Sequence, residues 1–179
     1  SMDLIDVQGS DMRSSLLSKP EISTTIQIKK RGHTSMAFDK PQYYIKTLDE
    51  NAEQLPIDIW GMGSDSEWVL NGSMADKSMI RNYLPYRIAA QIMEYSPRCR
   101  FCEVFYEADG TYTYQGVYLM TESVKVSDRR VKVDESKKKE MYTSYLVRRD
   151  RATSFDTILD TYGVREGLSK EYIGVKYPT

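Results

Sequence analysis

Between Trp68 and Tyr95 the chain reads WVLNGSMADKSMIRNYLPYRIAAQIMEY, and from Asp76 onward Ile80, Leu84, Ile88 and Ile92 recur at every fourth residue. That spacing brings an apolar side chain back to the same side of a 3.6-residue turn, with Met79, Tyr83 and Ala90 beside the stripe. It predicts a helix that buries one face. No other stretch carries this period, so the core is expected to be built around this helix. Asp76 suits its N-cap, because a carboxylate there accepts from the exposed N–H groups of the first turn and meets the positive end of the helix dipole. Pro85 removes one backbone bond at a cost of about 3 kcal/mol in a helix interior, so a kink or a restart is expected there.

Around this stretch the period changes to two. Ile22, Thr24, Ile26 and Ile28 alternate with polar neighbours and predict a half-buried strand, and Tyr43 to Lys46 predicts another. Between them lies Lys29-Lys30-Arg31-Gly32-His33-Thr34-Ser35, a basic, hydroxyl-rich turn. Such a turn can cradle phosphate, or it can be a solvated hairpin with a capping threonine. Residues 49 to 66 are acidic and rich in turn formers, which predicts a loop. Phe101 to Glu107 and Tyr112 to Thr121 read as strands joined at Asp109-Gly110, where both residues tolerate positive φ. Further short strands are expected at Val124–Val126, Val131–Val133 and Tyr145–Val147. Residues 1 to 20 read as a loose lead-in and 21 to 179 as one domain. The fold expected is α+β, an antiparallel sheet packed on one main helix.

Composition removes several classes of function. A net charge of -1 argues against a general nucleic-acid binder. No run approaches the roughly 18 apolar residues of a membrane span, and no signal peptide opens the chain. Ser1-Met2 has the look of a cloning remnant, which leaves the compartment open. His33 is the one histidine, so a multi-histidine metal site and a His-Glu-x-x-His protease are excluded. There is no P-loop, no G-x-G-x-x-G, and neither kinase signature H-R-D nor D-F-G. Cys99 and Cys102 lie in a strand-like segment where residues three apart point to opposite faces, so they are expected to be buried, unpaired thiols. The run Lys137-Lys138-Lys139 is expected to face solvent.

One set of motifs goes further. RGHTS at Arg31, KPQYYIK at Lys40, GM followed by EWVL between Gly61 and Leu70, DKSMIRN at Asp76, FCEVFY at Phe101, GVYLMTE at Gly116 and VKYP at Val175 occur in this order. Together they resemble the spore coat protein H family, the CotH-type kinases, which are atypical relatives of the protein-kinase fold. The resemblance covers roughly residues 22 to 178 and implies an arrangement like the small lobe of an atypical protein kinase. It implies serine or threonine phosphorylation of coat or surface proteins, with ATP and Mg²⁺ or Mn²⁺ as cofactors and a spore-coat or cell-surface location. Its expected partners are a nucleotide and a protein substrate.

By the same resemblance Arg31 opens the family's R-G-N-[ST]-S turn, Lys40 and Lys46 match basic positions of its second strand, and Glu122 closes its G-x-Y-L-x-T-E strand. Either lysine is a candidate to grip phosphate, with Glu122 to orient it. Arg81 and Asn82, from the D-K-S-x-x-R-N motif, either tie the helix to the sheet or face the nucleotide. His33, Pro41 and Pro85 depart from the family pattern. The family's metal-holding aspartates are expected beyond Thr179, so this chain alone is expected to contain no catalytic residue or metal ligand and to transfer no phosphate. The alternative is a non-catalytic coat or cell-surface interaction module, for which fourteen tyrosines would supply contact area.

Overall fold

Residues that alternate between β-branched or aromatic and polar side chains dominate this chain, and sheet dominates the structure. The computed structural model describes residues 1–6, 13–134, 137, 142–150, 157–158 and 172–177. They fall into two units, Ser1–Ser123 and Val124–Thr179.

In the first unit the elements are β1 (Met2–Leu4), β2 (Ile22–Arg31), β3 (Gln42–Leu48), β4 (Ile57–Asp58), β5 (Ser64–Asp65), β6 (Glu67–Asn71), α1 (Tyr83–Ala89), β7 (Cys99–Ala108) and β8 (Thr111–Glu122). Six of the strands form one sheet in the order β1-β2-β3-β6-β8-β7, every pairing antiparallel. β4 and β5 make a small separate ribbon. Met2–Leu4, expected to be a loose lead-in, pairs with Ile22–Thr24 as an edge strand. Asp6, just past β1, lies 2.9 Å from the guanidinium of Arg100 on β7, so the sheet curls until its two ends approach. Asp109 and Gly110 take positive φ, 50° and 74°, and turn the β7–β8 hairpin as expected.

The curl gives the sheet an inner face, on which Ile45, Trp68, Leu70, Tyr118 and Met120 are buried, joined by Leu4, Ile59 and Met62. Burial of a large apolar side chain withdraws roughly 1.5–3 kcal/mol from solvent, so this cluster supplies the main drive to fold. Trp68 satisfies its indole N–H by donating to the Asp65 carbonyl at 3.1 Å.

The expected α+β fold with a main helix at its centre is overturned. The helix has seven residues, none of them buried, and the core lies inside the sheet. The apolar stripe is present in sequence, yet Ile80, Leu84 and Ile88 are about half exposed and Ile92 is 80% exposed. What faces the sheet is the opposite side of the helix: Tyr83, Tyr86 and Ala89 are half-buried, and the Tyr83 ring lies 5.1 Å from that of Phe101. Periodicity reported an apolar stripe correctly but could not say which stripe would be covered. Pro85 is the third residue of this short helix, in the first turn, where its missing N–H costs nothing. The helix therefore starts beside Pro85 instead of kinking around it.

In the second unit β9 (Leu146–Asp150), β10 (Thr157–Ile158) and β11 (Tyr172–Tyr177) form an antiparallel sheet in the order β10-β11-β9. The hairpin expected at Val124–Val133 is replaced by a single parallel bridge between Val126 and Val131. Lys137 is exposed, while Lys138 and Lys139 lie outside the described residues. Among the described residues no helix is long and apolar enough to cross a membrane.

Candidate functional site

The pleat sorts the residues singled out in the sequence onto two faces. On β8, Tyr118, Met120 and Glu122 share the inner face, because alternate residues of a strand point the same way. Glu122 is 2% exposed and is held by Arg98, whose backbone N–H donates to Oε2 at 2.8 Å while Nε and Nη2 donate to Oε1 at 3.0 and 2.7 Å. Arg98 escaped the sequence reading. Gly63 makes room for it: at φ +82°, a Cβ there would stand 2.6 Å from Nη2 of Arg98. The Gly61-Met62-Gly63 break is thus part of the Glu122 clamp.

Lys40 enters the inner side of the sheet from the segment before β3. Its Nζ donates to the Val117 carbonyl and lies 4.6 Å from the centre of the Tyr118 ring. Burial holds the amine below its ordinary pKa, with Cys102 acting weakly the other way. Glycines fit this segment to β8: a Cβ on Gly116 would lie 3.3 Å from Nζ, and one on Gly72 would lie 3.0 Å from the carbonyls of Lys40 and Pro41. Lys40 and Glu122 therefore share a face, but Tyr118 and Glu122 are separated by four residues, about 13 Å of strand. Each of the two is satisfied by a different neighbour.

Lys46 follows the buried Ile45 and so projects from the outer face. Its cross-strand neighbours are Gln27 and Glu67. Arg31 and Lys29 lie on that same outer face, opposite Gln42 and Tyr44. Arg31 donates to Gln42 Oε1 at 3.3 Å, and Lys29 stands 5.1 Å over the Tyr44 ring. Neighbouring members of this row are separated by roughly 7 Å along the strands. Among the described residues none of the three forms an ion pair. The row borders the helix: the Tyr86 hydroxyl is raised above its ordinary pKa first by burial and then by Cys99, with Arg31 near enough to oppose the shift. Tyr44 is raised by burial and by its bond to Glu67.

Arg81 and Asn82 lie where the helix begins. Asn82 occupies the N-cap position without a side-chain cap bond, and the Asp76 carboxylate instead orders the loop before it. Asp76 accepts from the backbone N–H of Ser78 at 3.1 Å and of Arg81 at 2.8 Å. The Ser78 hydroxyl, followed by these amides, holds the carboxyl below its usual range. Arg81 is 79% exposed, with its Nε 3.7 Å from the Asp76 carboxylate. Asp76 thus caps a loop and not the helix, which is a correction to its expected role. Cys99 and Cys102 are unpaired and half-buried, on opposite faces of β7.

A family model described as CotH kinase protein matches residues 28–171, from within β2 to the residue before β11. The chain belongs to the CotH kinase protein family. That membership suggests a CotH-type function and an association with the spore coat. Comparison with curated proteins gives no match. The divalent ion that a CotH kinase implies does not fit the described residues, since no three histidine, cysteine, aspartate or glutamate side chains converge among them.

Proposed function

We propose that this CotH-family chain serves ATP-dependent phosphorylation of serine or threonine on coat or surface proteins, and that its share is to hold the nucleotide's phosphates. Arg31, Lys29 and Lys46 carry that task on the outer face of β2 and β3, with Arg81 and Asn82 placed at the start of the adjoining helix. The observation that carries this reading is the row of three cations without ion-pair partners among the described residues, inside the span the family model matches. Phosphoryl transfer is catalysed mostly by positioning and by neutralising the charge on the transferred group, so fixed cations are the contribution a strand can make. Lys40 and Glu122 act on this reading as positioning residues, holding the segment before β3 and the end of β8. A metal clamp is also needed for turnover, and the described residues do not assemble one. On this reading the described residues contribute nucleotide binding and not the metal clamp.

The test is titration of the chain with a fluorescent ATP analogue at low salt. Arg31→Ala combined with Lys46→Ala is expected to weaken binding by about tenfold or more, the loss of two charge-assisted contacts. Lys40→Ala should leave the affinity near that of the parent. Equal affinity for the double variant and the parent would remove the outer row from the nucleotide site.

A further inference from the structure

The sheet ends in two free edges of opposite charge. β7 is the last strand, and among the described residues none pairs with its outer side. β6 meets β8 only from Leu119 to Glu122, so the distal half of the β7–β8 hairpin projects beyond the sheet as a two-stranded arm. Phe105, Tyr106, Tyr112 and Tyr114 are exposed on it. From Phe101 to Ser123 the chain contains no lysine or arginine, while Glu103, Glu107 and Asp109 are all on the arm. At the other end, β1 covers β2 only over Ile22–Thr24. The outer edge of β2 from Thr25 to Arg31 is left without a neighbour among the described residues, and it finishes on the exposed Lys29-Lys30-Arg31.

We propose that copies of this chain associate head to tail, the acidic, aromatic edge of β7 adding to the basic edge of β2 in the next copy. An uncovered edge of this length is a template for another strand, and charge decides which strand it accepts. Two β7 edges repel each other, as do two β2 edges, and only the mixed contact is attractive. An antiparallel register with Glu103 against Arg31 of the next copy sets Phe105 against Lys29 and Glu107 against Gln27. By the alternation of both strands all these side chains lie on the same outer face. The contact joins two different surfaces, so it extends copy by copy unless the rotation closes a ring. This inference does not rest on nucleotide binding, and its readout is mass.

The experiment is sedimentation equilibrium of the 179-residue chain without nucleotide, at about 50 mM and about 500 mM salt, where screening differs by more than twofold in range. The mass-average is expected to rise with protein concentration at low salt and to fall back toward the monomer at high salt. Lys29→Glu with Arg31→Glu, and separately Glu103→Lys with Glu107→Lys, should each remain monomeric. An equimolar mixture of these two variants restores the native contact between one acidic β7 edge and one basic β2 edge and also offers its charge-reversed counterpart, so it should associate again at low salt. That recovery also shows that both variants are folded. A parent that is monomeric at low salt, variants that still self-associate, or a mixture that stays monomeric overturns the proposal.

Discussion

Glu122 and Arg98 form a clamp in which one buried carboxylate accepts three N–H groups from a single residue, with Nη2 of Arg98 at 2.7 Å. The acid is sealed in and the guanidinium is partly exposed, so loss of Glu122 leaves Arg98 able to turn to water, whereas loss of Arg98 would strip a buried carboxylate of three donors.

Glu122→Ala is therefore expected to cost about 3 kcal/mol, the lower end of the range for breaking a buried pair. Glu122→Gln, which keeps the shape and one accepting oxygen, should cost less. Urea denaturation followed by tryptophan fluorescence measures both. Unchanged midpoints would mean that the clamp contributes nothing to the fold.

Lys40 and Lys46 are predicted to separate in their effects. Lys40 covers the Tyr118 ring and donates to the Val117 carbonyl, so Lys40→Ala removes a cation–π contact and a hydrogen bond. Together these are worth about 1–2 kcal/mol. Lys46 projects from the outer face, and Lys46→Ala should change stability by less than about 0.5 kcal/mol. The same denaturation series decides, and equal losses would contradict the assignment of the two lysines to opposite faces.

The strands were legible because each obeys a local rule. Ile22 to Ile28 alternate, and Asp109-Gly110 supplies the residues a tight hairpin needs. The Glu122–Arg98 partnership was not legible, for a reason of counting. Near the turn Ala108 faces Thr111 and Phe105 faces Tyr114, a register that carried on would set Pro97 against Glu122. An irregularity between Val104 and Phe105 shifts the pairing by one residue, so that Val104 faces Gly116 and Cys99 faces Thr121. Arg98 thereby comes into line with Glu122. The sequence marks this place only by Gly116, which takes φ +97°. The helix failed differently, since its apolar stripe and its tyrosine side are both regular and nothing local ranks them.

That ranking can be tested. Leu84→Gln together with Ile88→Gln is expected to move stability by less than about 0.5 kcal/mol, as for exposed positions generally. Tyr83→Ala, which removes a ring packed 5.1 Å from Phe101, should cost about 1–2 kcal/mol through lost burial and ring contact. Thermal melts of the three proteins suffice, and the reverse order would restore the stripe as the buried side.

Cys102 gives the chain a pH dependence of known sign. Its thiol is pushed up from 9.0 to about 11, mainly by burial, with the Met120 backbone, Arg100 and Lys40 pulling the other way. Because the folded state keeps this proton longer than the unfolded state, the stabilisation is fully present below the unfolded value and is lost as pH rises through the folded one. The whole effect is roughly 2–3 kcal/mol between those limits. Lys40, whose amine burial holds below its usual range, works in the opposite direction in the alkaline range, and Cys99, also raised by burial, works in the same direction as Cys102. The quantity to measure is thus the difference between parent and Cys102→Ala in urea midpoint as pH is raised. Below pH 9 the gap should stay constant, set by the small cavity the alanine leaves. Above it the parent should lose stability faster than the variant, and parallel curves through this range would show that Cys102 does not titrate differently in the folded and unfolded chain.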